Sequence, residues 1–226
     1  MNKVYFITAI DTDAGKTMVT GMMAKYLAEK GIRVITQKMV QTGNTGFSED
    51  ILTHRKIMGT GIFSEDREGL TCPYIFPFPA SPHFSAGLVN KEINPEKITL
   101  STEKLLKKYD CVLLEGVGGL MVPLTRDFLV IDYLVQHPYP VILVTSGKLG
   151  SINHTLLSLE ACRHRNLPLV ALIYNHCMET HPLITADTLS LLKNKLGEYY
   201  PEAEMLEFPL WNPTENFPMP DFGKIF

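Results

Sequence analysis

The sequence has little that would indicate disulfides, a thiolate metal site or a membrane span. Its 226 residues hold only four cysteines, none of them in a C-x-x-C pair: Cys72, Cys111, Cys162 and Cys177. This usage favours structural thiols in a reducing compartment over disulfides or metal ligands. The longest apolar runs, such as 140–144, have the length of a strand and are far too short to cross a bilayer.

The net charge is also small, and no run of basic residues stands out. The 21 Lys and Arg residues against 24 Asp and Glu residues give a net charge of −3. We therefore expect neither nucleic acid nor an anionic membrane as a partner. The chain starts directly with a strand pattern, so we expect no signal peptide and a cytoplasmic protein. Hydrophobic residues make up 45% of the chain, which is enough for one substantial core.

The first thirty residues carry the clearest motif. Val4–Ile7 predicts a strand, 8–15 a tight polar loop, and Lys16 with Thr17 the start of a helix. The apolar residues of this helix repeat with the spacing of one helix face: Val19, Met22, Met23, Tyr26 and Leu27. A loop ending in Gly-Lys-Thr between a strand and a helix is typical of phosphate binding, with Lys16 on the outer phosphates and Thr17 on Mg²⁺. Because Ile10 stands where the usual pattern has its first glycine, an ordinary βα turn with a solvated lysine is the alternative.

The rest of the chain alternates buried strands with amphipathic helices. Strands are predicted at 33–38, 110–115, 140–145, 167–174 and 204–208, and helices at 51–58, from 95 to about 109, and at 128–135, 151–164 and 182–196. We take Ser151 or Asn153 as the cap of the helix that ends at His164, and Gly197 as the stop of the helix from Pro182. This alternation predicts a single α/β domain over 1–226, a doubly wound, mainly parallel sheet flanked by helices, with an irregular Pro-rich tail from about 209.

Polar residues stand where these strands end. Lys38 and Thr42 follow the second strand, and Glu115 ends an apolar strand before the run Gly116–Gly119. The carboxyl ends of parallel strands meet at one edge of a sheet, so we expect these residues near Lys16. The alternatives are a solvated edge lysine at Lys38 and a turn acid at Glu115.

Two further segments are expected at the same edge. Asp50, in the first turn of the helix capped by Ser48, either favours the helix dipole or reaches a metal. The segment 72–88 is rich in proline and aromatic residues, which predicts an ordered loop over the functional edge of the sheet.

Five segments, in order, resemble the dethiobiotin synthetase family, a group of P-loop enzymes. They are Ala9–Thr17 for the phosphate loop, Lys38–Gly43 for Lys-Pro-Val-x-Ser/Thr-Gly, Ser81–His83 for Ser-Pro-His, Glu115–Gly119 for Glu-Gly-x-Gly-Gly, and Lys148–His154 for Lys-Leu-Gly-x-Ile-Asn-His. The resemblance spans residues 3–175. Ala9-Ile10 replaces the family's Gly-Thr, and the part from about Leu206, which in the family helps to hold the nucleotide base, matches poorly.

The resemblance implies an activity. A member of this family uses ATP and Mg²⁺ to convert 7,8-diaminononanoate and CO₂ (or bicarbonate) into dethiobiotin in biotin biosynthesis, through a carbamate and its phosphorylated mixed anhydride. The nucleotide preference is left open by the divergent C-terminal part, so other nucleoside triphosphates remain candidates.

The resemblance also implies roles for individual residues. For catalysis it implies Lys38, Lys16 and Thr12; for the nucleotide Thr12, Asp13, Ala14, Gly15, Lys16, Thr17, Asp50, Glu115, Gly116, Val117, Gly118 and Asn175; for Mg²⁺ Thr17, Asp50 and Glu115; and for the substrate Thr42, Lys38, Gly150, Ser151, Ile152 and Asn153. In the family the segment matching 150–153 comes from a second subunit, so the resemblance implies a homodimer.

The rival class is a nucleotide-switch ATPase or GTPase that acts through partner binding. Partitioning ATPases share the expected fold but carry a signature lysine where Asp11 stands. Guanine switches read the base with Asn-Lys-x-Asp, which the segment 174–177 lacks.

Overall fold

The computed structural model describes residues 3–176, 181–210 and 219–226. The strands are β1 (Lys3–Ala9), β2 (Val34–Lys38), β3 (Gln41–Thr42), β4 (Ile75–Phe76), β5 (Cys111–Glu115), β6 (Val141–Ser146), β7 (Leu169–Asn175) and β8 (Glu204–Phe208). The helices are α1 (Lys16–Glu29), α2 (Glu49–Met58), α3 (Ser64–Arg67), α4 (Pro82–Gly87), α5 (Pro95–Leu106), α6 (Val130–Gln136), α7 (Ser151–His164) and α8 (Pro182–Tyr199).

Six of these strands form one parallel sheet in the order β2-β5-β1-β6-β7-β8. The register places Ile7 of β1 and Lys38 of β2 on either side of Glu115 of β5. The carboxyl ends of three strands are therefore level, and the polar residues that follow them meet at one edge.

Both faces of the sheet are covered, as the near-continuous apolar strands require. Along β1, Val4 and Phe6 point to a core shared with α5, α6, α7 and α8, while Tyr5 and Ile7 point to a core shared with α1 and α2. The alternation follows from the two-residue period of a strand. The predicted doubly wound parallel sheet is confirmed.

Local boundaries differ from the predictions at two helix ends. Gly197 does not stop α8, which continues to Tyr199 just before Pro201. A glycine inside a helix costs only about 1 kcal/mol, whereas a proline cannot continue the hydrogen-bonding pattern. Neither Ser151 nor Asn153 caps α7: its N-cap is Gly150, with φ of 93°.

The segment 72–88 is ordered, but it is not only a loop. It contains β4, which pairs in parallel with β3, and α4, which begins at Pro82. Proline suits the first turn of a helix because it lacks an N–H and has a fixed φ.

Three of the four cysteines, Cys72, Cys111 and Cys162, are buried and free, as predicted. Cys177 lies outside the described residues. Of the predicted tail, 209–210 and 219–226 are described, and none of these residues belongs to a helix or strand. In the described part of the chain, no helix combines the length and the apolar character needed to cross a membrane.

Candidate active site

The phosphate-loop motif forms a compact turn between β1 and α1. Gly15 caps α1 in the left-handed conformation, with φ of 97°. A Cβ at this position would lie 1.9 Å from Nδ2 of Asn175, which donates a hydrogen bond to the Ala14 carbonyl oxygen at 2.9 Å. Asn175 is the last residue of β7, which lies two strands away from β1 in the sheet. The hydrogen bond from its side chain therefore ties the phosphate loop to β7. The first turn of α1 holds no acidic residue, which leaves its positive end available to an anion.

Lys16 lies under this loop. Its ammonium donates to the Asp11 carbonyl oxygen at 3.0 Å, and the residue is only 6% exposed. Burial, and secondly the nearby charge of Lys38, lowers the pKa of Lys16 to about 8. A bound anion would reverse this effect and favour the charged lysine.

Four elements meet at a charged cluster beside the loop. Lys38 Nζ, at the end of β2, lies 2.6 Å from Asp50 Oδ2 of α2 and 2.8 Å from Glu115 Oε1 of β5. The Thr17 hydroxyl, from the first turn of α1, lies 3.1 Å from both Asp50 Oδ1 and Glu115 Oε1. Lys38, Asp50 and Glu115 therefore lie next to the phosphate loop, at the edge of the sheet where they were expected.

Mutual attraction decides the charge states of this cluster. Burial alone would lower the pKa of Lys38, but Glu115 and Asp50 raise it above its usual range. Burial alone would raise the pKa of Glu115, but Lys38 and His54 hold it well below its usual range. Lys38 is therefore a cation and Glu115 a carboxylate at neutral pH.

His54 is part of this cluster and was missed by the sequence reasoning. Its Nε2 lies 2.9 Å from Glu115 Oε2, and both side chains are fully buried. The distance between these two atoms is short enough for an ion pair, but their geometry does not meet the criteria for a hydrogen bond. The available signal was spacing, because His54 follows Asp50 by four residues and so shares its helix face.

The donor set fits Mg²⁺ bound together with a nucleotide. Among the residues described here, no group of three or more His, Cys, Asp or Glu side chains is placed to hold a metal by itself. Magnesium is usually held by one or two carboxylates plus phosphate oxygens. Asp50, Glu115 and the Thr17 hydroxyl provide such a set, and the two carboxylates already share one cation, the Lys38 ammonium.

A cavity of about 810 Å³ opens over the cluster. It gathers most of the predicted site residues: Thr12, Asp13, Gly15, Lys16, Thr17, Lys38, Thr42, Asp50, Glu115, Val117, Gly118 and Asn175. Sequence reasoning did not assign to the site several other residues that line the cavity: Gln41, Ser81, Pro82, Val122, Pro123, Phe208 and Leu210. Its volume suits a nucleotide together with a small substrate.

Other predicted residues lie outside this cavity. Ala14 is buried, and Gly116 approaches the Phe6 ring so closely that a Cβ would lie 2.9 Å from it, so this glycine serves the packing of β5 on β1. Ser151 lines a smaller cavity of about 330 Å³, which shares Thr12 and Asp13 with the large one. Gly150, Ile152 and Asn153 line neither of these two cavities.

Comparison with known proteins gives the fold a context. A plasmid partition protein from Borrelia burgdorferi superposes with a TM-score of 0.58 at 17% identity, covering 96% of this chain and 93% of that one. A ParA family ATPase from Chlorobium tepidum TLS gives 0.56 at 17% identity, covering 94% and 86%. At this identity the likeness concerns the fold alone, and it agrees with the predicted P-loop architecture.

Sequence comparison identifies the family. The family model described as AAA domain matches residues 3–197. The ATP-dependent dethiobiotin synthetase of Pasteurella multocida is 54% identical over 201 residues, covering 89% of this chain and 94% of that protein. The enzyme of the same name from Chlorobaculum tepidum is 50% identical over 206 residues, covering 91% and 86%. The chain therefore belongs to the ATP-dependent dethiobiotin synthetase family.

Proposed function

We propose that this protein is a ligase of biotin biosynthesis that uses ATP, Mg²⁺ and CO₂ to convert 7,8-diaminononanoate into dethiobiotin. Membership of the family supports the overall reaction. The observation that carries the assignment is the convergence of two buried lysines and two acidic side chains on one cavity: Lys16, Lys38, Asp50 and Glu115. Phosphoryl transfer to a weak oxygen nucleophile depends mainly on positioning and on neutralising charge, which this arrangement provides.

The phosphate loop binds the nucleotide. Backbone N–H groups of 12–17 and the Lys16 ammonium cradle the phosphates, and Asn175 keeps the loop in shape. Val117 and Gly118 line the same cavity, and their backbone is available to the phosphates. Thr17, Asp50 and Glu115 hold Mg²⁺, which when bound neutralises phosphate charge and orients the transferring group.

Lys38 and two hydroxyl groups receive the carbamate. CO₂ adds to the neutral form of one amine, which releases a proton to solvent and leaves an anionic carbamate. The ammonium of Lys38, whose pKa Glu115 and Asp50 raise, binds this anion. Thr42 and Thr12 line the same cavity and donate hydrogen bonds to the carbamate or to its phosphorylated form. Lys16 and Lys38 then flank the transferring phosphoryl group and stabilise the charge that it spreads in the transition state.

The remaining steps follow from the mixed anhydride. A carbamate oxygen attacks the terminal phosphorus of ATP, and ADP leaves. The second amine then attacks the carbamate carbon, phosphate leaves, and the cyclic urea closes. Holding both amines beside one carbon converts this last step into an intramolecular reaction of favourable geometry.

The substrate carboxylate is bound by a second copy of the chain, through the segment 150–153. In support, Asn153 is exposed, and Leu149, just before the segment, is completely exposed although it is a leucine. Leu157, in the second turn of α7, is also exposed, at 61%. Association with a second copy would remove these leucines from water, which is favourable.

Mixed dimers test the shared site. Lys38→Met and Asn153→Trp each disable both sites of their own homodimer. In a mixed dimer, one site combines Lys38 of one subunit with Asn153 of the other. Mixing the two inactive variants should therefore restore turnover, with a two-subunit mass in solution. A mixture that stays inactive although exchange of subunits is complete, or an active monomer, would remove the segment from the site.

Two broader expectations belong to this proposal. We treat 1–226 as one nucleotide-binding unit, supported by the packing of Phe222 on the core that α1 shares with β1. We place the enzyme in the cytoplasm, supported by the free thiols of the three described cysteines.

An assay of phosphate release tests the proposed reaction. The enzyme is incubated with Mg²⁺ and bicarbonate, with and without 7,8-diaminononanoate, using ATP, GTP and CTP in parallel. We expect release that depends on the diamine, with ATP accepted, and the Lys38→Met variant as the inactive control. Release that is indifferent to the diamine would instead favour a nucleotide switch. The ranking of nucleotides reports on base selection near Asn175, Phe208 and Leu210, which line the cavity.

A further inference from the structure

His54 is a buried polar residue for which the reaction as described has no use. Its side chain is fully buried, and among the described residues neither of its ring nitrogens makes a hydrogen bond. An imidazole without hydrogen bonds costs free energy that an aliphatic side chain of similar size would avoid. Its polar neighbour is Glu115 Oε2, at 2.9 Å from Nε2, and that oxygen also lacks a hydrogen bond.

The two oxygens of Glu115 face different surroundings. Oε1 faces the cavity side, where it accepts from Lys38 at 2.8 Å and from Thr17 at 3.1 Å. Oε2 faces the interior and His54. The carboxylate is thus oriented from both sides, and its outward oxygen is the one that the proposed Mg²⁺ site uses.

Helix α2 fixes the ring in this place. Asp50 and His54 are four residues apart and lie on one face of the helix, so one element supplies a charged group of the cavity and the neighbour of Glu115. The next residue, Arg55, ties α2 to Asp66 through hydrogen bonds of 2.9 and 2.7 Å. At the other end, the Ser48 hydroxyl caps the helix and donates to Gln41 at 2.6 Å.

We propose that His54 is a positioning residue that holds Glu115 Oε2 through Nε2–H, so that Oε1 stays directed at the metal and Thr17. A small rotation of the ring or the carboxylate aligns the two atoms, which already lie at hydrogen-bond distance. Groups that orient a metal ligand from behind commonly change metal affinity or activity by about 10- to 100-fold when removed. The inference rests on the proposed Mg²⁺ site, but not on the identity of the substrate.

The test compares two replacements of the same residue. Gln at position 54 can place an N–H near the position of Nε2, whereas Leu fills the space without a donor. Binding of Mn²⁺ in the presence of ADP is measured by electron paramagnetic resonance for the intact protein, His54→Leu and His54→Gln. Ile57→Val on the same helix is the packing control, and circular dichroism confirms the fold of each variant.

We expect His54→Leu to weaken Mn²⁺ binding about 10- to 100-fold, and His54→Gln to recover most of the loss. Ile57→Val should leave the affinity unchanged, and the KM for the diamine should be unaffected in all variants. Equal affinity in the Leu variant, or a Gln variant no better than the Leu variant, would overturn the proposal. A His54-dependent metal affinity without diamine-dependent turnover would leave this inference standing and remove the proposed reaction.

Discussion

Two clusters of buried polar side chains meet helix α2, and they are built differently. The anchor cluster consists of Thr36, Arg55, Asp66 and Thr71, and the site cluster of Thr17, Lys38, Asp50, His54 and Glu115. In the anchor cluster, Arg55 donates to both oxygens of Asp66 at 2.9 and 2.7 Å and to the Thr36 hydroxyl at 2.8 Å. Asp66 also accepts from Thr71 at 2.7 Å. These contacts satisfy both charged groups within the protein.

In the site cluster, some charges and hydrogen-bonding atoms lack a full set of partners among the described residues. Two carboxylates share one lysine, Glu115 Oε2 has no hydrogen bond, and the cluster opens onto a cavity of about 810 Å³. A closed cluster fixes a helix, whereas an open one has capacity for a cation and an anionic ligand. The two lie next to each other, because His54 and Arg55 are adjacent and Lys38 follows Thr36 by two residues on β2.

Lys38→Met should have the largest effect on turnover. Losing the charge that faces the carbamate and the transferring phosphoryl group lowers kcat by at least about 10²-fold. Nucleotide affinity in the presence of Mg²⁺ should change little, because Lys16 and the loop backbone still hold the phosphates. Turnover and equilibrium binding are measured on the same preparation, and unchanged turnover would remove Lys38 from the mechanism.

Arg55→Met should lower the stability of the fold rather than turnover. It leaves Asp66 buried without its cation, which costs about 3–5 kcal/mol of unfolding free energy. The double variant with Asp66→Asn should recover part of this loss, since no charge then remains unpaired. Urea unfolding gives the free energies, and the folded fraction of each variant should keep its kcat. A variant as stable as the original protein would show that this cluster anchors nothing.

Acid should weaken the anchor cluster. Burial would raise the pKa of Asp66, but Arg55 and the other donors lower it below its usual value. The folded-state pKa thus lies below the unfolded one. The contribution to stability is complete above the unfolded value of about 4 and is lost as the pH falls through the folded value. Glu65, whose pKa is lowered to about 2 by Lys108 and other donors in spite of burial, adds to the same loss.

The urea midpoint should therefore fall between about pH 5 and pH 2. The Arg55→Met/Asp66→Asn double variant should show a shallower fall, since it loses the Asp66 contribution and keeps those of the other carboxyl groups with lowered pKa, such as Glu65 and Glu115. Equal slopes would mean that Asp66 is not the group responsible.

A matched pair of threonines gives the most selective effects. Thr36→Val removes an acceptor of Arg55 and should cost about 1–3 kcal/mol of stability without changing kcat. Thr17→Val removes a hydroxyl proposed to bind Mg²⁺, and should lower turnover about 10²-fold with a smaller change in stability. Thermal unfolding and phosphate release are measured for both. The same pattern in the two variants would mean that the clusters do not differ in role.

The site cluster was largely predictable from the sequence, because its parts follow from strand ends. Lys38 and Glu115 each end a predicted strand, and parallel strands bring such ends to one edge, so their place near Lys16 was predictable from the fold class. Their direct ion pair depends on β2 and β5 being neighbours, which the sequence did not show. The Gly15-Lys16-Thr17 turn was recognisable from local spacing. The contact of His54 was not predictable, because a single histidine on a helix does not indicate which side chain of the sheet it will contact.

The other misses have local causes. The helix α4 was hidden in a segment whose prolines suggest a loop, although Pro82 at its first turn is compatible with a helix. Gly197 resembles a helix stop in the sequence, but glycine costs a helix only about 1 kcal/mol, and α8 continues to Tyr199, near Pro201. The segment 150–153 matches a family motif, but none of its residues lines the large cavity. Its proposed role in the site requires a second copy of the chain.

The most direct test of the account is the fate of labelled carbon. The enzyme is given ¹³C-bicarbonate, ATP, Mg²⁺ and 7,8-diaminononanoate, and the product is examined by mass spectrometry beside the released phosphate. The account predicts a cyclic urea that carries one ¹³C, formed one for one with phosphate, and neither product from Lys38→Met. Phosphate released without labelled urea would contradict it.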